Sequence, residues 1–207
     1  GHRVHAQEVH AQVGDEQHFA RHGGEHGRVA VVQVPLVAVE GGPDPAAVGQ
    51  LRERAGVLVG EDPPAVALLP GTGGSGKAWP AESFTALARQ TADRGLPVTL
   101  VWGPGQRALA ESIVARAGPG VTLAPPTSLL ELAALLARCA AVVGGDTGPV
   151  HLAASLGVPT VAVFVATDPE RNGPRGPRVR VVAAARRGAT GGRAHNGALG
   201  EATVADV

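Results

Sequence analysis

The fold is decided by residues 65–102, AVALLPGTGGSGKAWPAESFTALARQTADRGLPVTLVW. The apolar runs at 65–69 and 97–102 do not alternate with polar residues, which is typical of strands buried on both faces of a sheet. Between them, residues 81–95 have a helical pattern that ends at Gly95, a residue that accepts the left-handed conformation closing a helix. The stretch therefore predicts a β-α-β unit with parallel strands.

The same alternation continues to residue 184. Further apolar runs lie at 121–124, 140–143, 159–164 and 179–184, and further helical stretches lie at 106–118, 128–139 and 148–157. Ser128 and Glu131 have the spacing of a capping box, and Gly118 and Gly157 stand where helices end. These features predict a doubly wound, Rossmann-like α/β domain with a parallel sheet over residues 63–184. Ligands bind such sheets beyond the carboxyl ends of the strands, so the loops that follow strands are the candidate site.

The segments outside this domain differ from it. Residues 1–33 hold six of the eight histidines, in spacings that match no compact metal-ligand pattern. We expect a disordered or non-native leader there, and no metal site. Residues 34–62 are expected to be a linker with a strand and a helix, the helix being capped by Asp44 and begun by Pro45. Residues 185–207 are expected to form a C-terminal tail.

Composition excludes several classes of protein. The 207 residues include 18 basic and 18 acidic ones, so no net field attracts nucleic acid or an anionic membrane, and an anion site must be local. No apolar run approaches the roughly 18 residues of a membrane span, and the N-terminal residues contain no apolar signal-peptide core. Cys139 is the only cysteine, which excludes an internal disulfide. We expect a soluble, cytoplasmic protein.

The loop at 70–80, PGTGGSGKAWP, carries the only lysine of the chain. Its G-x-x-x-x-G-K spacing is that of a phosphate-binding P-loop, but Ala78 replaces the serine or threonine that ligates magnesium. Pro80 disfavours a helix at the preceding residue, which leaves Lys77 in the loop. The pattern favours a metal-free phosphate site built from backbone N–H groups and a point charge. A flexible turn with a solvated lysine is the alternative.

The loop at 144–151, GGDTGPVH, places an acid, a hydroxyl and an imidazole together. Gly144 and Gly145 are expected to turn the chain sharply off the preceding strand. In a magnesium-dependent NTPase, a strand ends directly in the aspartate that binds magnesium. If the two glycines turn the chain, no strand leads directly into Asp146, which argues against that class of enzyme. Pro149 is expected at the first helical position.

Asp146, Thr147 and Gly148 would then lie at a helix N-terminus. Free N–H groups and the helix dipole favour an anion there by about 0.3 to 1 kcal/mol, or about 2 kcal/mol when partly buried. Asp146 repels phosphate, so it is expected to cap the helix or to accept from a hydroxyl or amino group. His151, in the first turn, is close enough to donate to the same anion. A capping aspartate and a packed histidine without function are the alternative.

Three other loops follow predicted strands. Residues 102–106 are expected to form a tight turn into a helix. Either Gln106 contacts a ligand there, or the turn only reverses the direction of the chain. Thr127 precedes Ser128, whose presence is explained by helix capping. Residues 165–177 are polar and rich in turn residues, so they either cover the same edge of the sheet or form a surface connection.

The motifs LLPGTGGSGKAWPAESFTALA, LVWGPGQRALAESI, TSLLELAALLARCAAVVGGDTGPVHLAASLGVPTVAVF and TDPERNGP, in this order, resemble glycosyltransferase family 9, the heptosyltransferases. The resemblance runs from about Pro63 to about Val182. Its most specific part is Asp-Thr-Gly-x-x-His-Leu-x-x-x-Leu-Gly-x-Pro, and LVWGPGQ is similar to the heptosyltransferase I branch. It implies the C-terminal, donor-binding domain of a two-domain GT-B enzyme.

The resemblance also implies which residues hold the nucleotide-sugar donor. They are Thr72, Gly73 and Lys77 at the phosphates and sugar, Gln106 and Thr127 near the nucleoside, and Asp146, Thr147, Gly148 and His151 at the sugar and diphosphate. This sequence departs from the family's usual one at two places, which concern the nucleoside contacts and the loop at 165–177. Gln106 stands where the family usually has glutamate, and FVATDP replaces the usual Phe-Gly-Pro-Thr-Asp-Pro.

The activity implied is inverting, metal-independent and cofactor-free transfer of heptose from ADP-heptose to the lipopolysaccharide inner core. The implied location is the cytoplasm, up to the inner face of the inner membrane. The family's general base belongs to an N-terminal acceptor domain, which residues 1–33 do not resemble, so we expect a fragment that is inactive alone. A non-catalytic nucleotide-sugar binding module and a nucleotide-sugar epimerase of similar architecture are the alternatives.

Overall fold

The computed structural model describes residues 29–30, 44–50, 53, 65–71, 78–184, 204 and 207. Its strands are β1 (Val29–Ala30), β2 (Val66–Leu69), β3 (Val98–Leu100), β4 (Val121–Leu123), β5 (Ala141–Gly145), β6 (Thr160–Phe164) and β7 (Val179–Ala184). Its helices are α1 (Ala81–Asp93), α2 (Arg107–Ala117), α3 (Leu129–Arg138), α4 (Gly148–Ser155) and α5 (Pro169–Asn172). Residues 45–50 are also helical. In this described part, every helix is too short or too polar to cross a membrane.

The strands form one sheet in the order β1-β7-β6-β5-β2-β3-β4. Strands β2 to β7 run parallel to one another. From β2 the chain adds β3 and β4 on one side, and then returns through α3 to place β5 on the other side of β2. The predicted doubly wound parallel sheet is therefore confirmed, and the order reverses between β2 and β5, where such sheets open a crevice at their carboxyl ends.

Adjacent residues of each strand pack on opposite faces of the sheet. Leu68 belongs to a core shared with Phe84 of α1 and Ile113 of α2. The next residue, Leu69, belongs to a second core that includes Leu136 of α3. All five side chains are at most 5% exposed, and burying one of this size stabilises the fold by about 1.5 to 3 kcal/mol. Burial on both faces explains why the strand sequences do not alternate.

The predicted helix ends are confirmed. The Ser128 hydroxyl accepts from the Glu131 N–H at 3.3 Å, and the Glu131 carboxylate accepts from the Ser128 N–H at 2.7 Å, which completes the capping box. Gly95, Gly118 and Gly157 have φ of 79°, 93° and 72°. Side chains other than glycine rarely adopt such values.

Two features lie outside the predicted domain. Asp44 Oδ1 accepts from the Ala46 N–H at 2.9 Å, so the predicted cap of the linker helix is confirmed. Strand β1, within the segment expected to be a leader, pairs antiparallel with β7, and no sequence signal indicated this two-residue strand. The rest of residues 1–33 and all of residues 185–203 lie outside the described residues.

The prediction that Gly144 and Gly145 turn the chain off the strand is wrong, because both belong to β5. Packing explains the glycine at 144: a Cβ there would lie 2.7 Å from Val150 Cγ2 and 3.0 Å from Leu69 Cβ. Gly144 thus allows α4 to pass close to the sheet. Asp146 directly follows the strand, so these two glycines give no argument against a magnesium-binding aspartate.

The ends of the two helices nearest this turn also differ from prediction. Helix α4 starts at Gly148, with Thr147 as N-cap residue, so Pro149 is second and not first. The segment 165–177, expected to be a loop, contains α5. Its N-cap is Asp168, whose Oδ1 accepts from the Glu170 N–H at 3.0 Å.

Candidate functional site

A cavity of about 390 Å³ lies at the carboxyl ends of β2, β3 and β5, where the strand order reverses. Its lining residues are Leu69, Gly71, Val101, Trp102, Gly103, Gln106, Leu132, Asp146, Thr147, Gly148 and Pro149. The apolar part of this lining comes from β2, from the residues after β3 and from α3. The polar part comes from the N-terminal ends of α2 and α4. A hydrophobic wall therefore meets a helix N-terminus within one small-molecule-sized cavity.

Trp102 provides the aromatic part of the apolar wall. Its indole Nε1–H donates to the Ala124 carbonyl at 2.8 Å. The Arg107 guanidinium carbon lies 5.6 Å from the ring centroid, within the range of a cation–π contact. Because both contacts fix the ring plane, Trp102 and the neighbouring Leu132 offer a rigid apolar surface to a planar ligand group.

Gln106 turns its amide toward the cavity and does not cap α2 with its side chain. Its Oε1 accepts from the Gly103 N–H at 3.1 Å. The amide also lies against Gly71, where a Cβ would overlap it. Since a backbone N–H already donates to Oε1, the Nε2 group is the part of this side chain that can donate to a ligand.

The N-terminus of α4 forms the polar rim. Thr147 is extended (φ −143°, ψ 153°), and its hydroxyl lies 3.5 Å from the Gly145 carbonyl. The first N–H groups of a helix have no acceptor inside the helix, and the dipole makes this end positive. Gly148 is exposed, and no atom lies within 4 Å of where its Cβ would be. A ligand can therefore approach the backbone closely at Gly148.

Asp146 accepts a hydrogen bond from another loop and does not cap α4. Its Oδ2 accepts from the Thr167 hydroxyl at 2.8 Å. Its Oδ1 lies 3.6 Å from His151 Nε2, which is beyond hydrogen-bonding distance. The Asp146 side chain is 19% exposed and that of His151 is 43% exposed. The contact with Thr167 places the 165–177 segment beside the cavity, which is the first of the two arrangements expected for it.

The structure brings together some of the residues expected to hold a ligand. Gln106, Asp146, Thr147 and Gly148 line the cavity. His151 lines a neighbouring groove instead. Thr127 lines neither. Thr72, Gly73 and Lys77 lie outside the described residues, although Gly71, just before them, lines the cavity.

Among the residues in or beside the cavity that were not identified from the sequence, Trp102, Leu132 and Thr167 have side chains that shape the site. Trp102 ends a predicted strand, and that position alone was a usable signal, since ligands lie at strand carboxyl ends. Leu132 sits within a helix, and its orientation depends on how α3 packs. Thr167 belongs to a segment read as a covering loop, and its contact with Asp146 spans 21 residues of sequence.

Few other reactive groups occur in the described part of the chain. The Cys139 thiol donates to the Leu135 carbonyl at 3.4 Å, and burial raises its pKa to about 12, so the thiol stays protonated and unreactive at neutral pH. Among these residues, no three His, Cys, Asp or Glu side chains are placed to hold a metal ion.

The reversal of strand order, the cavity beside it and the helix N-terminus on its rim define the architecture of nucleotide-binding α/β proteins. Residues 40–196 match the model of glycosyltransferase family 9 (heptosyltransferase), and the chain belongs to that family.

Individual relatives agree with the family match. Lipopolysaccharide heptosyltransferase 1 of Pseudomonas aeruginosa is 35% identical over 136 residues, which cover 65% of this chain and 38% of that protein. Lipopolysaccharide heptosyltransferase 2 of Escherichia coli K12 is 30% identical over 125 residues, covering 58% and 36%. The solved structure of the E. coli heptosyltransferase WaaC with ADP superposes with a TM-score of 0.60 at 30% identity, covering 69% of this chain and 43% of that one. The chain thus spans well under half the length of these relatives.

Proposed function

We propose that the chain binds a nucleotide-diphosphate sugar, ADP-heptose, as the donor-binding part of a glycosyltransferase. The whole enzyme would transfer heptose, with inversion and without a metal ion, to the inner core of lipopolysaccharide at the cytoplasmic side of the inner membrane. Support comes from the family match, from relatives named lipopolysaccharide heptosyltransferases and from the similar heptosyltransferase structure with ADP.

The observation that carries the proposal is that one cavity has both an apolar wall, formed by Trp102 and Leu132, and the N-terminus of α4 on its rim. In the proposed pose the nucleoside lies against Trp102 and Leu132, and the Gln106 amide donates to it. The diphosphate lies at Thr147 and Gly148, where the N–H groups and the dipole of α4 stabilise negative charge by up to about 2 kcal/mol.

Asp146 and His151 are proposed to contact the sugar. A carboxylate that directly faced the diphosphate would repel it, whereas Asp146 already accepts from one hydroxyl, that of Thr167. Sugar hydroxyls offer the same kind of donor. His151 lies beside Asp146 in the first turn of α4, where its ring can donate to the sugar or to the nearer phosphate.

The glycine-rich loop is proposed to hold the phosphates from the opposite side. Thr72, Gly73 and Lys77 follow Gly71, which lines the cavity. When the sugar–phosphate bond breaks, negative charge grows on the departing ADP. The positive charge of Lys77 and the N-terminus of α4 are proposed to stabilise this charge without a metal ion. The general base that activates the acceptor is assigned to the acceptor-binding part of the whole enzyme, so we propose that these 207 residues bind the donor without transferring its sugar.

Calorimetric titration with ADP, ADP-heptose and UDP tests the proposal. We expect ADP and ADP-heptose to bind, with affinities that EDTA does not change, and UDP to bind more weakly. Failure to bind any adenine nucleotide would contradict the proposal, and a preference for UDP would favour the epimerase alternative. Restored heptose transfer on adding the N-terminal part of a homologous heptosyltransferase would separate a donor-binding half from a non-catalytic module.

Replacement of the only lysine tests the phosphate loop. Lys77→Ala is expected to weaken ADP binding by about 1.5 to 3 kcal/mol, the range for a hydrogen bond to a charged group. Arg94→Ala is the matched control, because Arg94 is an exposed cation just before β3, at the amino-terminal edge of the sheet, and we expect it to leave ADP affinity unchanged. Unchanged affinity in Lys77→Ala would make Lys77 a solvated loop residue.

A further inference from the structure

Thr167 is joined to the site without lining it. This half-buried residue belongs to the segment after β6, and it lines neither the cavity nor the neighbouring groove. Its hydroxyl nevertheless donates at 2.8 Å to Oδ2 of Asp146, a residue that lines both. The proposed donor contacts do not use Thr167, so its side chain is linked to the site through the Asp146 carboxylate.

This hydrogen bond restrains a side chain that could otherwise rotate. Asp146 directly follows β5, so its main chain is held by the sheet, but its carboxylate can still turn about two side-chain bonds. Among the described residues, the Thr167 hydroxyl is the only group that donates a hydrogen bond to this carboxylate. His151 Nε2 lies 3.6 Å from Oδ1, which is beyond hydrogen-bonding distance. Thr167 therefore sets the orientation of the carboxylate.

The contact leaves one carboxylate oxygen available to a ligand. Oδ2 accepts from Thr167, whereas Oδ1 accepts no hydrogen bond from the described part of the chain. Both oxygens of a carboxylate are acceptors, so Oδ1 can accept from a sugar hydroxyl while Oδ2 stays bonded to Thr167. A side chain that is already oriented loses less conformational freedom when a ligand binds. The Thr167 hydroxyl thus orders Asp146 before the ligand arrives.

Thr167 is itself held on both sides. Three residues before it, Phe164 ends β6 and is fully buried. After it, the Asp168 carboxylate accepts from the Glu170 N–H at 3.0 Å, and Pro169, the first residue of α5, is buried. Because the main chain is anchored before and after Thr167, its hydroxyl reaches Asp146 from a rigid support.

The proposed diphosphate contacts do not depend on this hydrogen bond. Thr147 and Gly148 are proposed to hold the diphosphate through main-chain N–H groups at the start of α4. Rotation of the Asp146 carboxylate leaves those N–H groups in place, because the helix itself positions them. Loss of the Thr167 hydroxyl is therefore expected to affect the sugar contact and to spare the nucleotide contacts.

We propose that Thr167 is a positioning residue for the donor sugar. It holds the Asp146 carboxylate so that Oδ1 is left for a sugar hydroxyl, and it thereby favours the sugar nucleotide over the free nucleotide. This inference rests on the proposed function, in which Asp146 contacts the sugar. It adds a residue that acts on the sugar through Asp146 and not by its own contact.

Calorimetric titration of ADP and ADP-heptose into the 207-residue chain tests this inference. Thr167→Val keeps the shape of the side chain and removes the hydroxyl. We expect ADP-heptose binding to weaken by about three- to ten-fold, the effect of having to order one polar side chain on binding, and ADP affinity to stay within about two-fold. Thr167→Ser retains the hydroxyl, so both affinities should stay within about two-fold of wild type.

A double-mutant cycle checks that Thr167 acts through Asp146. Asp146→Ala is expected to weaken ADP-heptose binding at least as much as Thr167→Val does. Adding Thr167→Val to Asp146→Ala should then change ADP-heptose affinity by less than about two-fold, because no carboxylate is left to orient. Additive losses would show that Thr167 acts by another route and would overturn the inference.

Thr122→Val is the matched control, because it removes a threonine hydroxyl from β4, at the edge of the sheet and outside the cavity lining. We expect it to bind both ligands as the wild-type protein does. Equal weakening of ADP and ADP-heptose in Thr167→Val would overturn the inference, since the hydroxyl would then be a general structural contact. Unchanged ADP-heptose affinity in that variant would overturn it as well. Failure of the wild-type protein to bind either ligand would instead contradict the proposed function, and the inference would fall with it.

Discussion

Asp146 is the residue that connects the parts of the site. It directly follows β5, lines both the cavity and the neighbouring groove, and accepts from the Thr167 hydroxyl at 2.8 Å. Through that hydrogen bond it fixes the segment after β6 against the end of β5. A side chain with these contacts is both a candidate ligand contact and a structural tie between two loops.

Thr167→Val tests this tie while keeping the shape of the side chain. The variant removes a hydroxyl that donates to a partly buried carboxylate, so we expect the free energy of unfolding to fall by about 1.5 kcal/mol. Urea denaturation of the variant and the wild-type protein measures this difference in the free energy of unfolding. Thr122→Val is the control, because Thr122 is an exposed residue whose hydroxyl donates at 3.2 Å to an uncharged acceptor, the Val98 carbonyl, and we expect a loss below about 0.5 kcal/mol. Equal losses in the two variants would show that the contact with Asp146 stabilises nothing.

Two glycines, four residues apart, are expected to respond differently to alanine. Gly144→Ala should lower the free energy of unfolding by about 1 to 3 kcal/mol, because the new methyl group overlaps Val150 and Leu69. Gly148→Ala should leave stability within about 0.5 kcal/mol, since its Cβ enters open space.

The same Gly148→Ala variant should weaken ADP binding, because its methyl group projects where the proposed diphosphate approaches the backbone. Thermal unfolding and calorimetry on the two variants separate these effects. Unchanged ADP affinity in a normally folded Gly148→Ala protein would move the diphosphate away from α4.

At the scale of elements, apolar runs and helix caps predicted six strands and four helices of the domain to within a few residues, because both faces of the sheet are buried and the caps are local. The errors arose where tertiary packing decides. Gly144 stays in β5 because α4 passes over it, and that approach is not encoded in the neighbouring sequence. The four residues of α5 are too few to show a period, and only Asp168 before Pro169 indicated a helix start.

The capping box of α3 offers a test at this scale. Ser128→Ala removes the hydroxyl that accepts from the Glu131 N–H, and we expect a loss of about 1 kcal/mol in the free energy of unfolding. Ser112→Ala, an exposed change within α2, is the matched control and should be neutral or slightly stabilising, since alanine is the better helix former. If Ser112→Ala lowered the free energy of unfolding as much as Ser128→Ala does, the capping box would not stabilise the helix specifically.

At the scale of the whole molecule, the return of the chain through α3 creates the site. It places β5 beside β2, so the loop after Leu69 and the turn at Asp146 meet at one crevice. The order of apolar runs predicted this architecture, and motif spacing pointed to both loops. The contacts of Trp102 and Thr167 were not predictable, because they join residues 22 and 21 positions apart through the packed fold.

The central claim is that ADP binds in the cavity lined by Trp102, and tryptophan fluorescence during an ADP titration tests it most directly. The chain has two tryptophans, and Trp79 is 2% exposed in the core and does not line the cavity. We predict a saturable change in emission whose midpoint matches calorimetry. Trp102→Phe should abolish the change while keeping ADP affinity within about ten-fold, since an aromatic ring remains. Calorimetric binding of ADP with no change in Trp102 emission, or no binding of ADP at all, would contradict the claim.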